Sequence, residues 1–371
     1  MRTSRWTRLF ALLLGLALLA AACGDDDDDA ATSGDSTEEE GGTTDEGDGD
    51  GAGFKACQVT DSGGIDDRSF NQTAYDGLVR AEEELGIEIA FLESQGEEDF
   101  ETNITQFLGQ ECDLIVTVGF LLGDATATAA EANTDQKFAI VDFDFFDADS
   151  GEDVTFDNVR ELTFATDEAA FLAGYAAAAM SESAKVGTFG GINIPTVTIF
   201  MDGFLAGVNH YNAEKGTAVE VLGWDGSDGL FTGDFENQDN GRNVAQSLLD
   251  EGADIVLPVA GPVGLGAAAA IRDAGNSSLV WVDTDGCESA ADFCDLFLTS
   301  IEKRMDNAVF DTIESVVNDE FEGGIYSGTL ENDGVGISPF HEFESSVPAE
   351  LQGELDALRQ QIIDGELEVT P

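Results

Sequence analysis

From residue 54 onward the chain alternates short apolar runs with longer stretches whose apolar positions recur every three to four residues. The short runs read as buried strands and the long ones as amphipathic helices. In the first half this predicts strands over 55–60, 87–92, 113–118 and 138–142, separated by helices over 70–85, 100–110 and 122–132. Such alternation predicts a parallel α/β lobe. After an acidic loop over 147–153, the stretch 158–164 is expected to cross into a second lobe, which opens with an Ala- and Gly-rich helix over 167–180. The design then repeats, with strands over 185–189, 218–222, 254–259 and 279–283 and helices over 196–213, 237–251 and 264–274. A strand over 296–300, a helix over 302–317, a strand over 326–330 and a final helix over 348–365 must be shared between the lobes. The simplest arrangement places lobe one at 54–160 plus 286–322 and lobe two at 161–285 plus 323–371, with a crossing at 283–287. The expected fold class is therefore α/β, two Rossmann-like lobes with parallel sheets joined by three hinge crossings that let a cleft close.

Right-handed crossovers gather the C-terminal ends of parallel strands on one edge, so the turns at Asp61, Gly119 and Asp142 should meet there. The richest of these turns is DSGGIDDRSFNQTAYDGL, residues 61–78. Gly63 and Gly64 permit a tight turn, and Phe70 and Asn71 stand at a helix N-terminus, where free N–H groups and the helix dipole suit a polar ligand. The turn has neither of the glycine patterns that cradle phosphates, and Asp61, Asp66 and Asp67 would repel one. A neutral ligand fits better. Asp66, Asp67 and Asp144 are read as surface or capping residues.

The ends of the chain add a location. Arg2, Arg5 and Arg8 precede an apolar run over 9–22 and then Cys23, the pattern of a secretion signal over 1–22. The run is short for a membrane span. LAAAC, residues 19–23, is similar to a lipidation box, so Cys23 is expected to carry a lipid anchor; ordinary signal cleavage near the same place is the alternative. Residues 23–53 then form an acidic, apolar-poor tether that cannot offset its ordering entropy.

The net charge of −61 excludes a nucleic-acid binder, which needs clustered Lys and Arg. Charge on this scale keeps a protein soluble, strains its compact state and suits a salt-rich habitat that screens it. Of five cysteines, four remain beyond Cys23, and an even number outside the cytosol suggests disulfides. Cys57 and Cys112 each begin a strand, and a sheet ordered 2-1-3 sets those strands side by side; Cys287 and Cys294 would then close a local loop. With two histidines and no CxxC, GxSxG or HExxH, neither a metal site, a cofactor nor catalysis is expected.

GIDDRSFNQTAYDGL, FLAGYAA (171–177), GGINIPTVTIFMDGFLAGV (190–208), GADIVLPVAGPVGLG (252–266) and VDTDG (282–286) resemble the basic membrane protein family. These are substrate-binding lipoproteins of ABC importers and include purine nucleoside receptors. The resemblance runs in order over residues 54–343 and implies the type I periplasmic binding protein fold. It further implies a lipoprotein on the extracytoplasmic face of the cell membrane, a monomer that binds a nucleoside, with a purine as first expectation, and serves an ABC permease and ATPase. A sugar or furanose-signal binder, or a sensor lipoprotein that feeds no transporter, is the alternative.

By the same resemblance Phe70 is one stacking ring, with Asp61 and Asn71 as polar contacts beside it. Asp142 reads the base, and Phe235, or Phe204 in its place, is the second ring. Gly261 lets backbone approach the sugar, and Asp283 with Lys303 holds the ribose. The chemistry agrees: one carboxylate can take both hydroxyls of a diol through charge-assisted bonds, and a purine offers two faces for stacking. Arg68 stands where lysine is commoner in this motif, and GPVGLG replaces a GGTG-like turn.

Overall fold

The computed structural model describes residue 51 and residues 53–146 and 154–370. The expected signal segment, the anchor at Cys23 and all of the tether but Gly51 and Gly53 lie outside the described residues. Twelve strands form two sheets among them. In chain order they are β1 (Lys55–Thr60), β2 (Glu88–Leu92), β3 (Leu114–Val118), β4 (Lys137–Val141), β5 (Val159–Phe164) and β6 (Lys185–Gly190), then β7 (Glu220–Leu222), β8 (Ile255–Val259), β9 (Ser278–Asp283), β10 (Phe297–Lys303), β11 (Gly324–Gly328) and β12 (Val335–Ile337). The helices are α1 (Phe70–Leu85), α2 (Glu97–Leu108), α3 (Gly123–Ala132), α4 (Thr166–Met180), α5 (Pro195–Lys215), α6 (Gln238–Asp250), α7 (Val263–Ala274), α8 (Gly286–Ser289), α9 (Met305–Val317) and α10 (Leu351–Ile363).

The first sheet runs β11-β5-β4-β3-β1-β2 and is parallel throughout; the second runs β12-β10-β9-β8-β6-β7 and is parallel except for β12. Each sheet is covered by helices on both faces, so the central strands are buried along nearly their whole length and read as unbroken apolar runs. β2 and β7 lie at sheet edges and are correspondingly half-exposed. Cys57 on β1 and Cys112 ahead of β3 are joined by a disulfide, as are Cys287 and Cys294. Pairing of β1 with β3 brings the first two together.

The structure corrects where the chain changes lobe. The stretch 158–164 is not a crossing but β5, paired to β4 in the first sheet. The chain leaves at Ala165. It does not return at 283–287: β10 lies beside β9, so residues 286–303 belong to the second lobe and not the first. The short Cys287–Cys294 loop turns the chain back onto the sheet it has just left. Only at Arg304 does it re-enter the first lobe, where α9 packs on α1 and β11 joins β5. Residues 323–328 are thus first-lobe, and the third crossing occupies 329–334 before β12 pairs with β10. The three crossings touch: Ala165 N–H donates to the Gly328 carbonyl (2.8 Å) and Arg304 N–H to the Gly334 carbonyl (2.9 Å), forming one hinge.

Within the second lobe α4 and α5 pack very closely. A Cβ on Gly207 would come 2.0 Å from the Phe171 carbonyl oxygen, and one on Gly174 2.1 Å from that of Phe204. The FLAGYAA and MDGFLAG segments therefore serve helix contact rather than ligand.

Candidate functional site

The C-terminal ends of both sheets face one cleft of about 550 Å³, part of it open to solvent. The first lobe supplies Asp61 after β1, Phe120 after β3 and Asp142 after β4; the second supplies Gly261 after β8, Asp283 ending β9 and Lys303 ending β10. This is where ligands bind in parallel α/β sheets, because strand ends there splay into loops.

Asp61 is buried, and its Oδ1 accepts from Asn71 Nδ2 at 2.9 Å. Burial pushes its carboxyl up to about 8; the Asn71 bond opposes this, Asp67 and Asp142 add to it, and Lys303 counters. Gly119 makes room for it, since a Cβ there would lie 2.2 Å from Asp61 Oδ2. Asp67 has a different task. It accepts backbone N–H groups of Ser69 (2.9 Å), Asn71 (2.8 Å) and Gln72 (3.1 Å), capping α1. The expectation that these N–H groups await a ligand is therefore corrected: a carboxylate of the chain already takes them. Burial raises Asp67 to about 6 against those bonds.

Lys303 is 2% exposed and joins the lobes: its Nζ pairs with Asp142 Oδ2 in the first lobe and lies 3.6 Å from Asp283 Oδ1 in the second. Asp142 and Asp283 follow equivalent fourth strands of their sheets, and both hold φ near the left-handed region, 63° and 69°. Asp tolerates that backbone better than most residues. Burial raises the Asp142 carboxyl, and the Lys303 ammonium pulls it back. Nζ also sits 4.7 Å from the centre of the Phe70 ring and 5.4 Å from that of Phe200, so the cation is held among ring faces.

Eight of the nine expected ligand residues line this cleft: Asp61, Phe70, Asn71, Asp142, Phe235, Gly261, Asp283 and Lys303. Phe204 does not. It is fully buried where α5 packs on α4, and Phe200, one turn earlier, reaches the cleft instead. Gly261 holds φ 50°, with only Ser69 Oγ, at 4.0 Å, near the place of a Cβ. The sequence reading passed over Phe120, Phe200 and Ser69. Phe120 directly follows the Gly119 turn that the sheet edge singles out, so position alone could have found it. Asn71 Oδ1 is buried and has no hydrogen-bond partner among the described residues.

Asp285, Cys287 and His341 also lie together. Cys287 is spent in its disulfide, and Asp285 Oδ2 already pairs with His341 Nε2 at 2.6 Å, so the donor set does not suit a metal. Among the described residues no helix is long and apolar enough to cross a membrane.

A family model described as ABC transporter substrate-binding protein PnrA-like, the Bmp family, matches residues 54–371. The chain belongs to this family. A Bmp relative from Lactococcus lactis, the ABC transporter nucleoside-binding protein BmpA, is 30% identical over 85% of this chain and 89% of its own. An uncharacterized lipoprotein of Pyrococcus abyssi is 32% identical over 78% of this chain and 71% of its own. Among solved structures, an ABC transporter solute-binding protein from Aeropyrum pernix matches with a TM-score of 0.76 and 28% identity, over 86% of this chain and 94% of that one. The Bmp protein is thus an ABC transporter substrate-binding protein with the two-lobe α/β fold, one of a group of solute-binding proteins rather than enzymes. Such proteins deliver a small molecule to a permease and its ATPase.

Proposed function

We propose that this Bmp protein captures a purine nucleoside in the cleft and presents it to the importer. The carrying observation is the union, in one cleft, of half-buried rings on both lobes with a buried Asp142–Lys303–Asp283 network. Phe70 and Phe235 offer faces for the base, and Asn71 Oδ1 and Asp61 offer polar atoms for its edge. Asp283 and Lys303 take the ribose hydroxyls. The name of the Lactococcus lactis relative supports this reading. The lipoprotein relative supports a lipid anchor at Cys23 and a place on the outer face of the cell membrane.

Four buried carboxyl groups, Asp61, Asp67, Asp142 and Asp283, stand against the one ammonium of Lys303 and disfavour a phosphate, so nucleotides should be refused. Calorimetry with inosine, guanosine and adenosine is expected to give tight binding, with weak or no binding of ribose, glucose and guanosine monophosphate. Tight glucose or ribose binding with no response to nucleosides would overturn the assignment and leave only a solute-binding protein.

A further inference from the structure

Ser69 stands at the N-cap of α1, the position where serine most often bonds its own helix. Here it makes no such bond, because Asp67 has taken the N–H groups. Its hydroxyl is free for another partner and donates across the cleft to Asp283 Oδ2 at 2.7 Å. Two neighbouring contacts cross at the same place. Trp281 Nε1–H, on β9, donates to the Arg68 carbonyl at 3.3 Å, and the Arg68 guanidinium lies 3.5 Å from the Ser289 carbonyl. Arg68 holds φ 62°, a backbone that non-glycine residues rarely adopt, and this turns its carbonyl toward the other lobe.

We propose that the 67–69 turn is an interlobe clasp, and that within it Ser69 is a positioning residue for Asp283. Asp283 has Oδ2 on Ser69 of the first lobe and Oδ1 facing Lys303 of its own lobe, so the oxygen that Ser69 holds is oriented only when the lobes meet. Opening the cleft removes Ser69 and frees the carboxylate to rotate. Closure therefore builds the diol acceptor, and a ligand with two ribose hydroxyls rewards closure more than one without them. The diol part rests on the nucleoside reading above; the clasp does not.

The test uses Ser69→Ala and Ser69→Thr in the full chain. Ser69→Ala should weaken guanosine about tenfold, chiefly through faster dissociation, as loss of a hydrogen bond to a charged group implies. 2′,3′-Dideoxyguanosine should weaken less, so the ratio between the two ligands shrinks, and Ser69→Thr should restore it. Hydrogen exchange at the indole N–H of Trp281, followed by NMR, reports the clasp with no ligand present. It should quicken in Ser69→Ala, while Trp224, whose indole bonds Asp202 inside the second lobe at 2.8 Å, stays unchanged as an internal control. An unchanged ligand ratio overturns the positioning role, and unchanged Trp281 exchange overturns the clasp. If the wild type ignores guanosine altogether, the nucleoside reading falls and with it the diol role, and Trp281 exchange alone decides the clasp.

Discussion

Phe70 and Asp283 sit on opposite lobes and are assigned opposite halves of the ligand, so their losses should separate. Phe70→Ala removes a ring face and should weaken nucleosides and free bases alike, by about 1–3 kcal/mol. Asp283→Asn keeps the shape but removes the charge, and should weaken guanosine while leaving weak guanine binding unchanged; calorimetry with both ligands checks the contrast. Asp61 and Asp67 give the site a pH dependence. Their folded-state values of about 8 and about 6 stand above the ordinary 3.8, so the folded protein holds protons that the unfolded chain releases. Their contribution to stability is therefore full below about pH 4 and is lost as pH rises toward 8, by about 1.4 kcal/mol per pH unit for each proton that separates the states. Melting temperature of the ligand-free protein should fall between pH 5 and 8, and Asp61→Asn should flatten that slope. An equal slope in the variant would show that Asp61 ionises normally.

At the scale of elements, the close approach of α4 and α5 supports the lobe that carries Asp283 and Lys303. Gly207→Ala pushes a methyl group to within 2.0 Å of the Phe171 carbonyl and must part the helices. A stability loss of about 1–3 kcal/mol is expected, read by urea or thermal unfolding. Gly353→Ala on α10 is the control, since a Cβ there meets nothing within 4 Å. It should be neutral or stabilising by up to about 1 kcal/mol, through helix propensity alone. Equal effects of the two substitutions would contradict the packing argument.

For the whole molecule, three adjacent crossings and a cleft spanned by Lys303 and Ser69 describe a hinge in its closed position. A ligand that binds only this form should compact the protein in small-angle scattering. It should also stabilise it by about 2.7 kcal/mol at a hundredfold excess over Kd. The net charge of −61 works the other way, since self-repulsion opposes compaction. Salt that shortens the Debye length from about 10 Å to 3 Å should raise the melting temperature with no ligand present. Scattering profiles that coincide with and without guanosine would argue against closure.

The sequence by itself determined most of the elements, the alternation that makes both sheets mainly parallel, and most of the site, but not β12 or its antiparallel pairing with β10. Strand and helix patterns are local, and in such sheets the loops at strand ends hold the ligand, so Asp61, Asp142 and Asp283 could be picked out as residues that end strands. Phe70, Phe235 and Lys303 needed the family pattern, because a Phe or Lys by itself reads equally well as core or surface. Tertiary structure alone decided the lobe of 286–303, since either sheet offers β10 an edge and the choice rests on a non-local pairing with β9. It also decided between Phe200 and Phe204. One helical turn on α5 separates a ring in the cleft from a ring in the α4 contact, and nothing in their local sequence separates them. Ser69 shows the same limit in sharper form: a serine before a helix reads as a cap, and only the rival carboxylate of Asp67, folded back onto the same N–H groups, sends its hydroxyl to the other lobe.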